Sequence, residues 1–468
     1  MGGNESAHRL KHREYDEAVK CFGSEELSKW KKCFDEMSQG SPTKKKYFGF
    51  GEDQLSNYTR AIIPPPLQKN LFTVFRHVSS SPSSGHDSSI VVEWEAFIVG
   101  ISYLIKSATD ERARMLSMLG GGSGADVTKA QLAETLASLF QAYVAAESKS
   151  AEFQTWKFAS SVLPDDLSSS LVSYFLKGVV FDEQNRLSLD VLARWMGSHS
   201  VLTRVFDLVI YVAFHFEVKR DAEEITNIPW TIPSCRAVDW TKVNTLFTVP
   251  TLLLLNYHLP SEYRYEWKLL YATSLYGESF STLLKQITLK GPSVLIVKDE
   301  NGYVFGGFNS KNWQLSSNFV GDDSCFLFSL VPTVGIYPAT GYNHNYCYLN
   351  TNQQTLPNGL GFGGTVTLDD QPVHYFALWL DQDFGKGSSQ GSSTTYNNPQ
   401  LSAASNFKIH SIEVWGVEQQ TDIDKQAKAT KSILDIDPQA RAILEMVGKT
   451  RKSEGLRELP PPDEGDFP

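Results

Sequence analysis

The groups that could carry covalent chemistry are two thiols in aromatic surroundings, Cys325 in CFLFSL and Cys347 in YCYLN, with His344, His374, Glu278 and Asp381 in the same part of the chain. A thiol nucleophile needs an imidazole to take its proton and a carboxylate to orient that imidazole, so this set would do redox or hydrolytic chemistry if it converged. Spacing alone does not bring the residues together. Thiols beside Phe326, Tyr346 and Tyr348 have the character of inert core residues. Asp381 and Asp383, next to Phe384, are read as hydrogen-bond acceptors for neighbouring turns. No His and Cys stand at zinc-ligand spacing. The expectation is no cofactor and no catalytic residue, with a thiol or histidine enzyme as the alternative.

Three further patterns suggest ligands. Gly359-Leu360-Gly361-Phe362-Gly363-Gly364 satisfies G-x-G-x-x-G. A dinucleotide fingerprint, however, follows a strand and opens a helix whose N-terminus meets the pyrophosphate. This one follows Leu356-Pro357-Asn358 and runs toward strand-like sequence at Tyr375, so its glycines are read as positive-φ turns or close backbone approaches. Two stretches have the rhythm of a calcium-binding helix-loop-helix, which needs oxygen ligands at loop positions one, three and five, glycine at six and a bidentate Glu at twelve. The loop counted back from Glu95 offers Ser84, His86 and Ser88 with Ser89 in place of glycine. The loop from Asp182 offers Gln184, Arg186 and Leu187, with Ala193 at the last position. An EF-hand-like scaffold without metal is expected. Met1-Gly2-Gly3-Asn4-Glu5-Ser6 fits the myristoylation pattern at Gly2. One acyl chain binds membranes only marginally, and His8, Arg9, Lys11, His12 and Arg13 could add attraction to anionic head groups.

The balance of 43 basic against 53 acidic residues in a chain of 468 argues against a phosphate-tracking surface, so no nucleic-acid partner is expected. Five cysteines, odd in number and far apart, suit reduced thiols in the cytosol. No stretch reaches the roughly 18 apolar residues of a membrane span, and the first residues lack the apolar core of a signal peptide. The most apolar segment, Val201 to Phe216, is broken by Arg204, Asp207 and His215 and reads as a buried helix.

These residues must be positioned by two kinds of element. From Ser24, Leu27, Trp30, Phe34 and Met37 fall on one helical face, and further helices are expected over Glu93 to Lys106 and Lys129 to Ser148. The Gly120 to Gly124 cluster between those two is read as a flexible joint, and Asn227 to Val238, with Pro229 and Pro233, as a linker. Leu246 to Leu255 is apolar, Tyr263, Trp267, Leu270 and Tyr271 recur at helical spacing, and Ser279 to Gln286 suits a short helix. From Gly277 to Val417 the pattern changes to short strands. Ser293 to Val297 and Tyr303 to Phe308 flank Asp299-Glu300-Asn301-Gly302, a hairpin signal, and Cys325 to Leu330, Tyr346 to Asn350, Tyr375 to Leu380 and Ile409 to Val417 follow. Packed antiparallel sheets are the expectation. Beyond Glu418, Asp437-Pro438 caps an amphipathic helix near 437–448 with Ala440, Ile443, Leu444 and Val447 on one face and Gly448 at its end. So short a helix needs packing, either on its own domain or in a partner's groove.

Along Gly277 to Val417 the motifs GESF, GPSVLIVKDENGYVFGGF, Trp313, FVGDDSCFLFSL, TGYNHNYCYLN, LPNGLGFGG, YFALWLDQDFGKG, TYNNPQLS and FKIHSIEVWGV occur in order, and this stretch resembles the TLDc domain. The resemblance implies an α+β protein: a flexible lipidated tail over 1–20, a helical EF-hand-like domain over 21–230, a TLDc antiparallel β-sandwich flanked by helices over 238–418, and a C-terminal segment over 419–468 with its amphipathic helix. It also implies binding to the V1 sector of the vacuolar proton-pumping ATPase, a place at the cytoplasmic face of the lysosomal membrane or in the cytosol, and links to mTOR signalling and oxidative-stress resistance. No catalytic mechanism is implied. Glu278, Tyr342, Asn343, His344 and Asn345, with Ile443, Leu444 and Val447 of the terminal helix, are the expected partner-binding residues.

Overall fold

The computed structural model describes residues 12–39, 48–79, 91–160, 163–217, 231–236, 238–366, 372–373 and 376–418. Residues 12–20 are helical (α1), and α2 (Ser24–Gln39) follows, with Glu25 and Glu26 in its first turn complementing the helix dipole and Trp30, Phe34 and Met37 buried on one face. Then come α3 (Glu52–Thr59), α4 (Pro65–Ser79), α5 (Trp94–Ile105), α6 (Thr109–Leu119), α7 (Lys129–Glu147), the short α8 (Ala151–Gln154), α9 (Asp165–Leu176), α10 (Leu189–Ser198) and α11 (Ser200–Ala213). The start of α7 is fixed by a reciprocal cap: Gln131 N–H donates to Thr128 Oγ1 (3.2 Å) and Thr128 N–H donates to Gln131 Oε1 (3.0 Å).

The helices pair through their loops. Phe50 and Val92 form an antiparallel bridge, while β1 (Asp126–Thr128) pairs antiparallel with β2 (Arg186–Ser188). The expected joint at Gly120 to Gly124 is therefore no free hinge. Gly122 N–H donates to Ser117 O, Ser117 Oγ donates to Asp126 O, and the segment delivers β1 to its partner.

The remaining chain builds the sheets: β3 (Ser234–Arg236), α12 (Val249–His258), β4 (Glu266–Ala272), the short α13 (Thr273–Tyr276), α14 (Phe280–Ile287), β5 (Ser293–Asp299), β6 (Val304–Asn309), β7 (Phe326–Val331), β8 (Gly335–Pro338), β9 (Cys347–Asn350), β10 (Gly359–Phe362), β11 (Thr365–Val366), β12 (Pro372–Val373), β13 (Leu378–Asp381), β14 (Lys386–Ser389) and β15 (Asn406–Glu418). The expected hairpin forms as β5 and β6. Strand β15 belongs to two sheets. Its first residues, Asn406 to Lys408, pair with β14, and its later ones pair with β5 on one side and β4 on the other. Sheet I runs β8-β7-β6-β5-β15-β4-β3 and sheet II runs β15-β14-β13-β10-β9.

Alternation along β5 explains its unbroken apolar run. Leu295 and Val297 point into the core between the sheets with Phe305, Leu327, Leu360, Phe362, Leu378 and Leu380. Val294 and Ile296 point the other way, into the core shared with the helices. Sheet I is thus covered on both faces, by sheet II and by the helical region, and a strand buried on both faces loses polar alternation.

Two further expectations fail. Tyr263, Trp267, Leu270 and Tyr271 do not share a helix; Glu266–Ala272 is strand β4, hydrogen-bonded to β15, and tertiary pairing overrides the helical spacing. The end of the expected linker is also built in: Ser234–Arg236 pairs parallel with β4, and Ile232 is buried. No helix among the described residues is long and apolar enough to cross a membrane. Val201 to Phe216 instead supplies the buried helix α11. The described residues belong to one compact unit that ends at Glu418. Gly2 and the expected helix near 437–448, with Ile443, Leu444 and Val447, lie outside the described residues.

Candidate functional site

Tyr342, Asn343, His344 and Asn345 lie on the connection from β8, at the edge of sheet I, to β9, at the edge of sheet II. A second loop fixes this connection. Asn343 Nδ2 donates to Thr394 Oγ1 (2.9 Å), Thr395 Oγ1 and Asn345 N–H donate to Asn343 Oδ1 (2.8 and 3.0 Å), and Thr340 Oγ1 donates to Thr394 O (2.6 Å). His344 Nδ1 lies 3.2 Å from the Tyr346 hydroxyl. Among the described residues nothing tethers the Tyr342 side chain in this way, and it stands 62% exposed on this rigid base. An aromatic ring presented by a pre-ordered loop loses little entropy on contact, so it suits recognition. Glu278 is not part of the cluster. It is exposed just before α14, which packs against β4, across sheet I from β8.

The outer face of sheet II carries a second aromatic surface. Phe376 stacks on Trp379 with centroids 4.4 Å apart, Tyr348 is 5.4 Å from Phe376, and Phe319 is 5.4 Å from Tyr348. The glycine fingerprint makes room for it. A Cβ on Gly361 would stand 2.6 Å from the Phe376 ring and 2.8 Å from that of Trp379. The motif is therefore strand β10, between β9 and β13, and a close backbone approach as expected. Beside it a depression of about 410 Å³ is lined by Trp379, Asp381, Lys386, Asn406 and Lys408. Asp381 Oδ1 accepts the N–H of Asp383 (2.9 Å), which is the turn role expected of it.

Among the described residues the candidate catalytic set does not assemble. Cys325 and Cys347 are both buried and lie 4.0 Å apart, sulfur to sulfur. Among the described residues no imidazole is hydrogen-bonded to either sulfur; the side-chain partner of Cys325, besides Cys347, is Ser310. His374 lies outside the described residues.

In the helical region the Asp182 loop keeps its oxygens for itself. Asp182 Oδ1 accepts the N–H groups of Gln184 (2.9 Å) and Arg186 (2.7 Å), and the Arg186 guanidinium reaches across to Asp126 (2.7 Å). A cation at the fifth loop position supplies charge of the wrong sign for calcium. Ser84, His86, Ser88 and Ser89 lie outside the described residues, and Glu95 is exposed in the first turn of α5.

Sequence reading missed the junction between helices and sheets. Trp156, just after α8, packs against Trp415 of β15, Trp267 of β4 and Trp240, and its Nε1 donates to Pro233 O (2.8 Å). Beneath it Glu413 is fully buried, accepting Trp415 Nε1 (2.8 Å), Leu246 N–H (2.9 Å) and Thr245 Oγ1 (3.1 Å). Burial pushes its carboxyl up to about 7 despite those donors. A lone Glu between Ile412 and Val414 in the last strand was the available signal.

A model of the TLDc domain matches residues 241–418. Over 428 residues the chain is 35% identical to the MTOR-associated protein MEAK7 of Gallus gallus, covering 88% of each chain. It is 33% identical to that of Homo sapiens over 453 residues, 94% of this chain and 96% of the relative. The oxidation resistance protein 1 of Rattus norvegicus is 34% identical over 163 residues, 34% of this chain and 18% of that protein. The chain, a helical region joined to a TLDc sandwich, therefore belongs to the family of the MTOR-associated protein MEAK7.

Proposed function

We propose that this protein is a non-enzymatic adaptor of mTOR signalling that binds the V1 sector of the vacuolar proton-pumping ATPase at the cytoplasmic face of the lysosomal membrane. The observation that carries the reading is similarity to MTOR-associated proteins along nearly the whole chain, helical region included. The sandwich supports a binding role. Among the described residues its Cys325 and Cys347 thiols are buried without an imidazole partner, whereas Tyr342 and the Phe376/Trp379 face present aromatic surface that the described helices leave uncovered. Acylation at Gly2 would hold the protein at the membrane, and a second contact through the helix near 437–448 would raise the effective concentration of the first. A role in oxidative-stress resistance is the broader property suggested by the oxidation resistance relatives.

The test is co-sedimentation of the full-length protein with purified V1, followed by imaging of wild type and Gly2→Ala in cells. Stable association with V1 and release of the variant from lysosomes are the expected results. Absence of V1 binding by the acylated full-length protein would remove the central assignment.

A further inference from the structure

We propose that Cys325 and Cys347 are a peroxide-oxidisable dithiol, which closes to a disulfide linking the two sheets. Cys325 immediately precedes β7 of sheet I, and Cys347 opens β9 of sheet II. The antiparallel bridge between Val320 and Cys347 holds the two segments together. The sulfurs stand 4.0 Å apart, so closure to an S–S bond of about 2.05 Å needs a relative movement of about 2 Å, within the reach of side-chain rotation.

The two thiols are not equivalent. Cys325 Sγ accepts the Ser310 N–H (3.4 Å) and the thiol of Cys347, and lies 3.2 Å from the Ser310 hydroxyl. A core thiol used only for packing has no need of several converging donors. Burial pushes the Cys325 thiol up, but the donors from Cys347, Ser310 and the backbone outweigh it and bring it down to about 7. Cys347, buried and beside Cys325, is held well above the ordinary thiol range. The donors thus favour the thiolate at Cys325 over Cys347. The opposing charge, Asp322, is engaged by Lys311 (2.9 Å).

Gly321 and Tyr346 pack beside the Cys325 sulfur. Gly321 is half-buried with φ of 111°, and a Cβ there would stand 2.8 Å from the Cys325 sulfur. The Tyr346 Cβ would stand 3.0 Å from the same position and Cys325 itself is fully buried, so an oxidant reaches the sulfur when the Gly321 backbone moves aside. Hydrogen peroxide is the co-reactant. The Cys325 thiolate attacks one peroxide oxygen, the O–O bond breaks, and the departing hydroxide takes a proton to leave as water, giving a sulfenic acid. Cys347 then gives up its proton and attacks the Cys325 sulfur. The S–S bond forms, the S–O bond breaks, and a second water leaves. Two thiols and one peroxide become one disulfide and two waters.

The experiment treats full-length protein with stoichiometric hydrogen peroxide, counts free thiols and maps peptides without reduction. The five thiols of the chain should fall to three, with a peptide pair joined through Cys325 and Cys347. In Cys347→Ser, dimedone should label Cys325 as the trapped sulfenic acid. Wild-type peptide mapping needs no variant and stands if a variant fails to fold. Retention of both thiols while the exposed Cys21 is oxidised, or a folded Cys347→Ser in which dimedone leaves Cys325 unlabelled, would overturn the proposal.

Discussion

The rings of Trp156 and Trp415 lie 4.8 Å apart, and this contact joins the helical region to the strand shared by both sheets. Trp415 also stacks toward Trp240 at 6.2 Å, and Trp267 closes the cluster from β4. Helices and sandwich are therefore coupled through a common aromatic core rather than strung on a linker.

Trp156→Ala should cost about 3–5 kcal/mol, the usual loss for a buried large aromatic. Urea unfolding measures it, and the half-exposed Trp379→Ala serves as comparison. An equal, small loss in both variants would show that the junction contributes little to cohesion.

Glu413 makes stability depend on pH. Its folded pKa, about 7, lies above the ordinary 4.5. The folded state therefore holds an extra proton between those values, so this contribution is full below about 4.5 and lost as pH rises through about 7. Glu413→Gln, which cannot ionise, should show a shallower fall in melting temperature across that interval. A curve parallel to wild type would exclude Glu413 as the group responsible.

Asn343→Ala removes two hydrogen bonds that tie the β8–β9 connection to the Thr394 loop and one within the connection, and it should lower stability by about 1–3 kcal/mol. Tyr342→Ala, at an exposed ring, should change stability by less than about 0.5 kcal/mol while weakening V1 binding. Thermal melts paired with co-sedimentation separate the two effects; undiminished binding by the tyrosine variant would take this loop out of the interface.

Gly361→Val should displace the stacked Phe376 and Trp379, because the new side chain would enter space their rings occupy. Near-ultraviolet circular dichroism should lose aromatic signal, with far-ultraviolet strand content retained. An unchanged aromatic spectrum would mean the rings do not lie over this strand.

Local periodicity and turn chemistry made much of the fold legible. Trp30, Phe34 and Met37 recur at a helical period and form the buried face of α2, and Asp299 to Gly302 marks the turn between β5 and β6. Absence of a strand-to-helix setting around Gly359 to Gly364 was enough to reject a dinucleotide loop. Tyr263 to Tyr271 misled because its apolar residues fit a helical spacing, and the deciding force, pairing of β4 with β15, comes from residues about 145 positions away.

By itself, the sequence determined the helical face of α2, the β5–β6 hairpin and the family, since each follows from residue types at short separation. Tertiary structure alone decided that sheet I is covered on both faces, that Trp156 belongs to the sandwich's aromatic core, and that Cys325 and Cys347 touch across the sheets. It also separated Glu278 from the Tyr342 loop. These are long-range contacts, selected by which surfaces exclude water together, and no local pattern encodes them.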